Sequence, residues 1–380
     1  MIGRRWVLRV LGSAPFLGVS ARWGAVKAVG PTSAVESASS YRKAFAWLQT
    51  LNAEEHERIR NWRTMRLDGA ARALIERSGP ALAEFRRGAG AVWCDWADEP
   101  LPTAVGKDRW DVSKLSIGRI ALLRARLLIA DGRGNEALDD AFAVAAFGRH
   151  LGNEGVLILR LFQCAQENEA IAVVAQGLPS FGRDALATLS ERTRSLPPSV
   201  RLIEVLRQEA RFIAAFWTER LQTLPARLTV DSLVAIDCTR KESEAVIQST
   251  GGDRAKLPAL IADVEPRLAG MAAALGTPFS QLLKTADAYI QKVRDVNPLA
   301  VSAVEASVGM RYAVERTEVL WTMLHAGALK VLGRDDDFQG VADPHGNGPF
   351  EVRPIPGGFE LRSALRFEDR LQAVLIVGGM

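Results

Sequence analysis

The chain has 380 residues, with 48 Lys or Arg against 44 Asp or Glu, and 48% of it is hydrophobic. That length and apolar fraction suffice for a large core in one or two domains, while three widely spaced cysteines, Cys94, Cys164 and Cys238, allow at most one disulfide and exclude a disulfide framework or a paired-cysteine zinc site. Five basic residues and no acidic one fall in residues 1–28, which leaves 43 bases against 44 acids in the remainder, without the concentrated basic face that nucleic-acid binding needs.

Residues 1–28 place Arg4, Arg5 and Arg9 around the start of an apolar run over 10–21, with small residues at Val19-Ser20-Ala21 and Val26-Lys27-Ala28. This is the layout of an export signal, and it predicts a mature chain beginning at Arg22 or Val29. Gly12, Pro15 and Gly18 argue against a core helix, and the run is shorter than the roughly 20 apolar residues of a membrane span. Arg4-Arg5-Trp6-Val7-Leu8-Arg9 resembles the twin-arginine export signal, which implies a periplasmic or cell-envelope destination. Membrane contact is then transient and limited to this segment.

Residues 29–40, polar and small, read as a linker. From Tyr41 to Leu332 the pattern is helical throughout. Ala44, Trp47, Leu48 and Leu51 share one face, Asn52 opens a helix over 54–62, Asp68 opens another over 68–77 that Ser78-Gly79-Pro80 ends, and 82–91 continues the run. Residues 96–111 hold Pro100, Pro102 and Gly106 and read as a loop. A helical hairpin follows over 115–130 and 136–151, turning at Asp131-Gly132-Arg133-Gly134. Further helices are expected at 154–177, 183–196, 199–224, 228–250, 257–275, 279–293 and 301–332, with prolines between them. Beyond Leu332, Gly, Pro and Asp give way to Phe350-Glu351-Val352-Arg353 and Phe359-Glu360-Leu361-Arg362 around Pro356-Gly357-Gly358, a hairpin signal, and 371–377 supplies a third strand. The chain therefore reads as a mainly α protein, an irregular helical-hairpin array over 41–332, with a small antiparallel β appendage over 333–380 packed on the last helix.

Two stretches resemble known groups. Cys94-Asp95-Trp96, Leu123-Arg124-Ala125-Arg126-Leu127, Glu136-Ala137-Leu138, Gly148-Arg149-His150-Leu151-Gly152, Leu157-Ile158 and Leu178-Pro179 resemble a group of uncharacterised exported bacterial helical proteins, and Leu128, Gly132, Ala137 and Ala141 fall at the offsets of a tetratricopeptide-like pair. That resemblance implies a fold and an address but no reaction. Asp343-Pro344-His345-Gly346, Pro349-Phe350-Glu351-Val352 and Gly358-Phe359-Glu360-Leu361-Arg362-Ser363 are similar to the C-terminal sheet of type II secretion pseudopilins, although the apolar N-terminal helix and the closing Gly-x-Asp-Gly loop of that family are missing.

Candidate site residues are few. Trp93, Cys94, Asp95 and Trp96 put two indoles, a thiol and a carboxylate before a Pro-rich loop, a set that can line a ligand pocket or close a helix end in the core. His150 and Glu154 share one face only if the helix runs through Gly152. Glu167 lies in an apolar helix and is expected to pair with an arginine such as Arg124 or Arg126. Asp335, Asp336, Asp337 and Asp343 lack the EF-hand spacing and read as a solvated acidic loop. No pattern calls for a cofactor. The expectation is a non-catalytic envelope scaffold or protein-interaction module with a protein partner; the alternative is an extracytoplasmic hydrolase or ligand-binding enzyme with a pocket near Trp93, Asp95, Trp96 and His150.

Overall fold

The computed structural model describes residues 33–96, 112–236, 238–367 and 371–379. The export segment, the first part of the expected linker and almost all of the loop at 96–111 lie outside the described residues. The fold is mainly α with a small C-terminal antiparallel sheet.

The expected linker over 29–40 ends early, at Ser33. Helix α1 (Ala34–Leu48) starts inside it, with Ser33 and Glu36 forming a reciprocal capping box, an arrangement that satisfies two backbone N–H groups for about 1 kcal/mol. Small side chains are needed here because α1 lies close against α4 (Gly79–Ala89): Ser37 is fully buried and its hydroxyl donates to the Gly88 carbonyl at 2.7 Å. Between them, α2 (Ala53–Arg60) is capped by Asn52 and α3 (Gly69–Arg77) by Asp68, as expected.

Next come α5 (Ser116–Ala130), α6 (Gly134–Gly152) and α7 (Leu157–Gly177). The α5–α6 hairpin turns through Gly132, whose φ of 73° lies in the left-handed region that glycine tolerates. Helices α6 and α7 pack closely because Gly148 has no side chain: a Cβ there would lie 3.0 Å from Cβ of Gln166 and 3.2 Å from the Gln163 carbonyl oxygen. The start of α7 is tied to a later helix, since the Leu157 N–H donates to Glu209 at 2.9 Å.

The second half holds α8 (Arg183–Ser195), α9 (Leu202–Leu221), α10 (Val230–Val234), α11 (Arg240–Thr250), α12 (Leu257–Ala262), α13 (Val264–Leu275), α14 (Phe279–Val296), α15 (Pro298–Val331) and α16 (Asp335–Gln339). The helix expected over 228–250 is two helices, because Thr239 and Glu242 cap a fresh start. That expected over 257–275 also breaks, at Asp263. Helix α15 is the spine of this half: α7, α13 and α14 all pack on it, and α9 packs on α13.

Strands β1 (Glu351–Ile355), β2 (Gly358–Phe367) and β3 (Leu371–Gly378) form the sheet in sequence order, all antiparallel. Period-2 alternation turns Leu361, Ser363 and Leu365 of β2, and Ala373, Leu375 and Val377 of β3, inward. The sheet packs on α7 as well as on α15, and its apolar residues belong to the same contiguous core as the helices. Gly327 of α15 permits the approach, as a Cβ there would lie 3.2 Å from both Leu178 and Val377. Asp343, expected in a solvated loop, is 5% exposed and accepts from the Ser363 hydroxyl (2.8 Å), the Ala364 N–H (2.6 Å) and the His345 N–H (3.0 Å). It is separated in role from Asp335 and Asp337, which pair on the surface with Lys330 and Arg334.

Candidate functional site

The segment after α4 is extended, and its side chains alternate between core and solvent. Cys94 and Trp96 point in, at 2% and 1% exposure, while Trp93 is 46% exposed and Asp95 is also outside. Trp96 stacks on Tyr41 with centroids 5.3 Å apart, and its indole N–H donates to the His150 carbonyl at 3.1 Å. His150 is itself sealed in: Nδ1 meets the Tyr41 hydroxyl at 2.9 Å and Nε2 meets the Ala91 carbonyl at 3.0 Å. A carbonyl only accepts, so Nε2 carries the proton and Nδ1 accepts from Tyr41. Burial lowers the imidazole to about 4, and burial likewise pushes the Cys94 thiol up to about 12. At neutral pH the thiol stays protonated and both nitrogens of the neutral imidazole are engaged in core hydrogen bonds, so this cluster lacks the activated pair that a Cys–His nucleophile requires.

The expected pocket around Trp93, Cys94, Asp95, Trp96 and His150 is thus a filled aromatic core with two side chains left on the surface. His150 and Glu154 do not share a helix face, because α6 ends at Gly152. Glu154 nonetheless feels its surroundings: burial, with the Asp95 charge adding to it, raises its carboxyl to about 7.

Glu167 lies elsewhere, and its partner differs from the expected Arg124 or Arg126. Arg124 of α5 pairs with Asp140 at 2.9 Å, and Arg126 donates to the Trp62 and Met65 carbonyls. Glu167 faces the end of α6, where Arg149 grips it with two bonds, Nε to Oε1 at 3.1 Å and Nη2 to Oε2 at 3.0 Å. Gln163 donates to it at 2.7 Å and the Trp321 indole of α15 at 2.6 Å. Burial alone would raise this carboxyl; the Arg149 charge and the bonds from Arg149, Gln163 and Trp321 outweigh it and hold the group below its ordinary value.

This polar web runs on to an open cleft of about 450 Å³ between α7, the chain before α9, the end of α13 and the middle of α15. Its edge at 197–200 is pinned by Arg149 Nη1 to the Pro197 carbonyl (2.9 Å) and Asn153 Nδ2 to the Pro198 carbonyl (3.0 Å). One wall is polar, with Arg160, Ser199, Arg201, Arg311 and Glu318; the other is apolar, with Leu202, Ile203, Leu206, Ala272 and Leu275. Arg160 is 5% exposed and bonds Gln163 and Ser199, both neutral, through one nitrogen, while its Nε has no partner. Arg311 bonds the Leu275 carbonyl at 3.3 Å and pairs with Glu315. Burial raises the Glu318 carboxyl although both Arg160 and Arg311 pull it down.

Comparison with protein families, curated proteins and solved structures finds no match. Of the residues singled out in the sequence, Glu167 stands behind the cleft, and Trp93, Cys94, Asp95, Trp96 and His150 form a separate region. The cleft residues went unnoticed because they come from four separate stretches of chain. One local signal did exist: Arg160 is a lone charge within Leu157-Ile158-Leu159-Arg160-Leu161-Phe162, and a buried charge in an apolar run needs a partner.

Proposed function

We propose that the protein is a non-catalytic binding module of the cell envelope, exported through its N-terminal segment, and that its working surface is the cleft between α7, α9, α13 and α15. The observation that carries this reading is Arg160: a guanidinium in the wall of an open cleft, hydrogen-bonded to neutral groups, without a carboxylate in ion-pair contact among the described residues. Glu318 of the same cleft acts on Arg160 without contacting it; a buried cation without a contacting counter-ion is costly, and a bound anion would supply one. The engagement of both His150 nitrogens favours this binding role over the rival hydrolase, since the histidine of the rival's site is already committed to the core.

The test is native mass spectrometry of the protein purified from its own host, compared with Ile203→Asp, which places a charge on the exposed edge of the apolar wall. The reading expects a mature chain starting at Arg22 or Val29 and a bound species present on the natural protein and absent from the variant. An intact Met1 on cytoplasmic protein contradicts the export reading. A bound species that survives Ile203→Asp, or none on either protein, contradicts the assignment of the cleft.

A further inference from the structure

We infer that the cleft binds a single-chain amphiphile, an anionic head against Arg160 and Arg311 with its alkyl chain along Ile203, Leu206 and Ala272. This rests on the assignment of the cleft as the working surface and adds the chemical class of what it holds.

Three observations point to that class. The first is charge: of the guanidiniums that line the cleft with Glu318, Arg201 pairs with Glu204 and Arg311 with Glu315, while Arg160 has no carboxylate in ion-pair contact among the described residues, and Glu167, in the web behind it, is already engaged by Arg149, Gln163 and Trp321. Burial raises the Glu318 carboxyl, which eases its protonation when a second anion arrives. A guanidinium is suited to carboxylate and phosphate heads by its planar fork of donors.

The second observation is the shape of the apolar side. A further cavity of about 140 Å³ shares Ile203, Leu206 and Ala272 with the cleft and runs on along α9 and α13 past Leu268. The apolar track therefore continues beyond Arg160 and Arg311 along Leu268 and Ala269, flanked by Arg207 and Glu265, as an alkyl chain requires and a compact anion does not. Ile203 is 38% exposed, so the track is open to solvent along one side.

The third observation is size. At about 450 Å³ the cleft falls within the range of about 300–1,000 Å³ typical of small-molecule sites. Burying each methylene of the chain tightens binding by roughly fourfold, so a chain of several carbons adds affinity that the head alone lacks.

The experiment is calorimetric titration of the full-length protein, below the micellar range, with dodecanoate and with dodecyl phosphate, beside acetate, inorganic phosphate, dodecanol and dodecyltrimethylammonium. The inference expects saturable one-to-one binding of at least one of the two anionic amphiphiles, and the tighter of them identifies the head as carboxylate or phosphate. Acetate, phosphate, dodecanol and the cationic amphiphile should each bind at least about tenfold more weakly, and Arg160→Gln and Arg311→Gln should each weaken the anionic amphiphile by about tenfold or more. Should either arginine variant fail to fold, Ile203→Asp, a change at a surface position, must still weaken binding. Equal binding of the cationic amphiphile or of dodecanol overturns the inference, as does equal binding of acetate or phosphate, or binding indifferent to Ile203→Asp. If neither anionic amphiphile binds while host-purified protein still carries a species lost in Ile203→Asp, the amphiphile is refuted and the cleft assignment stands.

Discussion

Arg149 of α6 and Glu167 of α7 form a two-pronged ion pair inside the protein, with Nε–Oε1 at 3.1 Å and Nη2–Oε2 at 3.0 Å, and Glu167 is only 2% exposed. Because the same carboxylate accepts from Trp321 on α15, one acid ties three helices together directly behind the cleft. Arg149→Met should strand that carboxylate without its counter-ion and cost about 3–5 kcal/mol. Trp321→Phe, which removes a single bond to a charged acceptor, should cost about 1.5–3 kcal/mol. Urea unfolding midpoints measure both, and an Arg149→Met protein as stable as the parent would show that the pair contributes nothing.

Acid should act on the Tyr41–His150 core in a defined direction. The imidazole is lowered from 6.5 to about 4 by burial, so the unfolded chain takes up its proton first: the contribution is complete above pH 6.5 and lost as pH falls toward 4. Its size is about 3 kcal/mol at most. Glu154 works the other way. Its carboxyl is raised from 4.5 to about 7, so the folded protein protonates first and the burden of its buried charge is relieved as pH falls through that window. Glu154→Gln should therefore be more stable than the parent at pH 8 and lose more stability between pH 7 and pH 5. Thermal melts at pH 8, 6.5 and 5 read both differences, and a variant that is less stable at pH 8 contradicts this account.

The two neighbouring tryptophans should respond oppositely to truncation. Trp96→Ala removes a fully buried ring stacked on Tyr41 and should cost about 3–5 kcal/mol. Trp93→Ala, on the solvent side of the same segment, should change stability by no more than about 0.5 kcal/mol. Chemical denaturation of the two variants decides it; comparable losses would mean that Trp93 is covered.

The helical texture, the Gly132 turn, the starts at Asn52 and Asp68 and the β tail were all legible, because each depends on chemistry within a few residues of chain. The start of α1 is also written in the sequence, since Ser33 and Glu36 carry the capping spacing, but the small polar residues after them resemble a linker. Such residues are equally what two helices need where they touch, as Ser37 and Gly88 do. The site was not legible for a different reason. Trp93-Cys94-Asp95-Trp96 concentrates unusual side chains in one place and so attracts attention, although an extended segment sends half of them into the core. Arg160, Ile203, Ala272 and Arg311 gather only when α7, α9, α13 and α15 pack, and no local spacing records that meeting.

The tail should behave as part of the main core rather than as a detachable module. Deleting residues 343–380 strips Leu361, Leu375 and Val377 from α7 and α15, returning apolar surface to water at about 25 cal/mol for each Å², and should yield an aggregating or protease-sensitive product. Asp343→Ala is the milder test. It leaves the Ser363 hydroxyl and the Ala364 N–H without their acceptor and should cost about 1–3 kcal/mol. A truncated protein that remains soluble and as heat-stable as the full chain would show the tail to be independent.

Hydrogen–deuterium exchange of the full-length protein, with and without an envelope extract from the host, tests the central claim most directly, because it reports where anything binds without naming it. The account predicts slowed exchange confined to the chain around Arg160, Ser199 to Leu206, Ala272 to Gly276 and Arg311 to Glu318, with residues 91–96 unchanged. Protection centred on Trp93 to Trp96 instead, or none at the cleft, would contradict it.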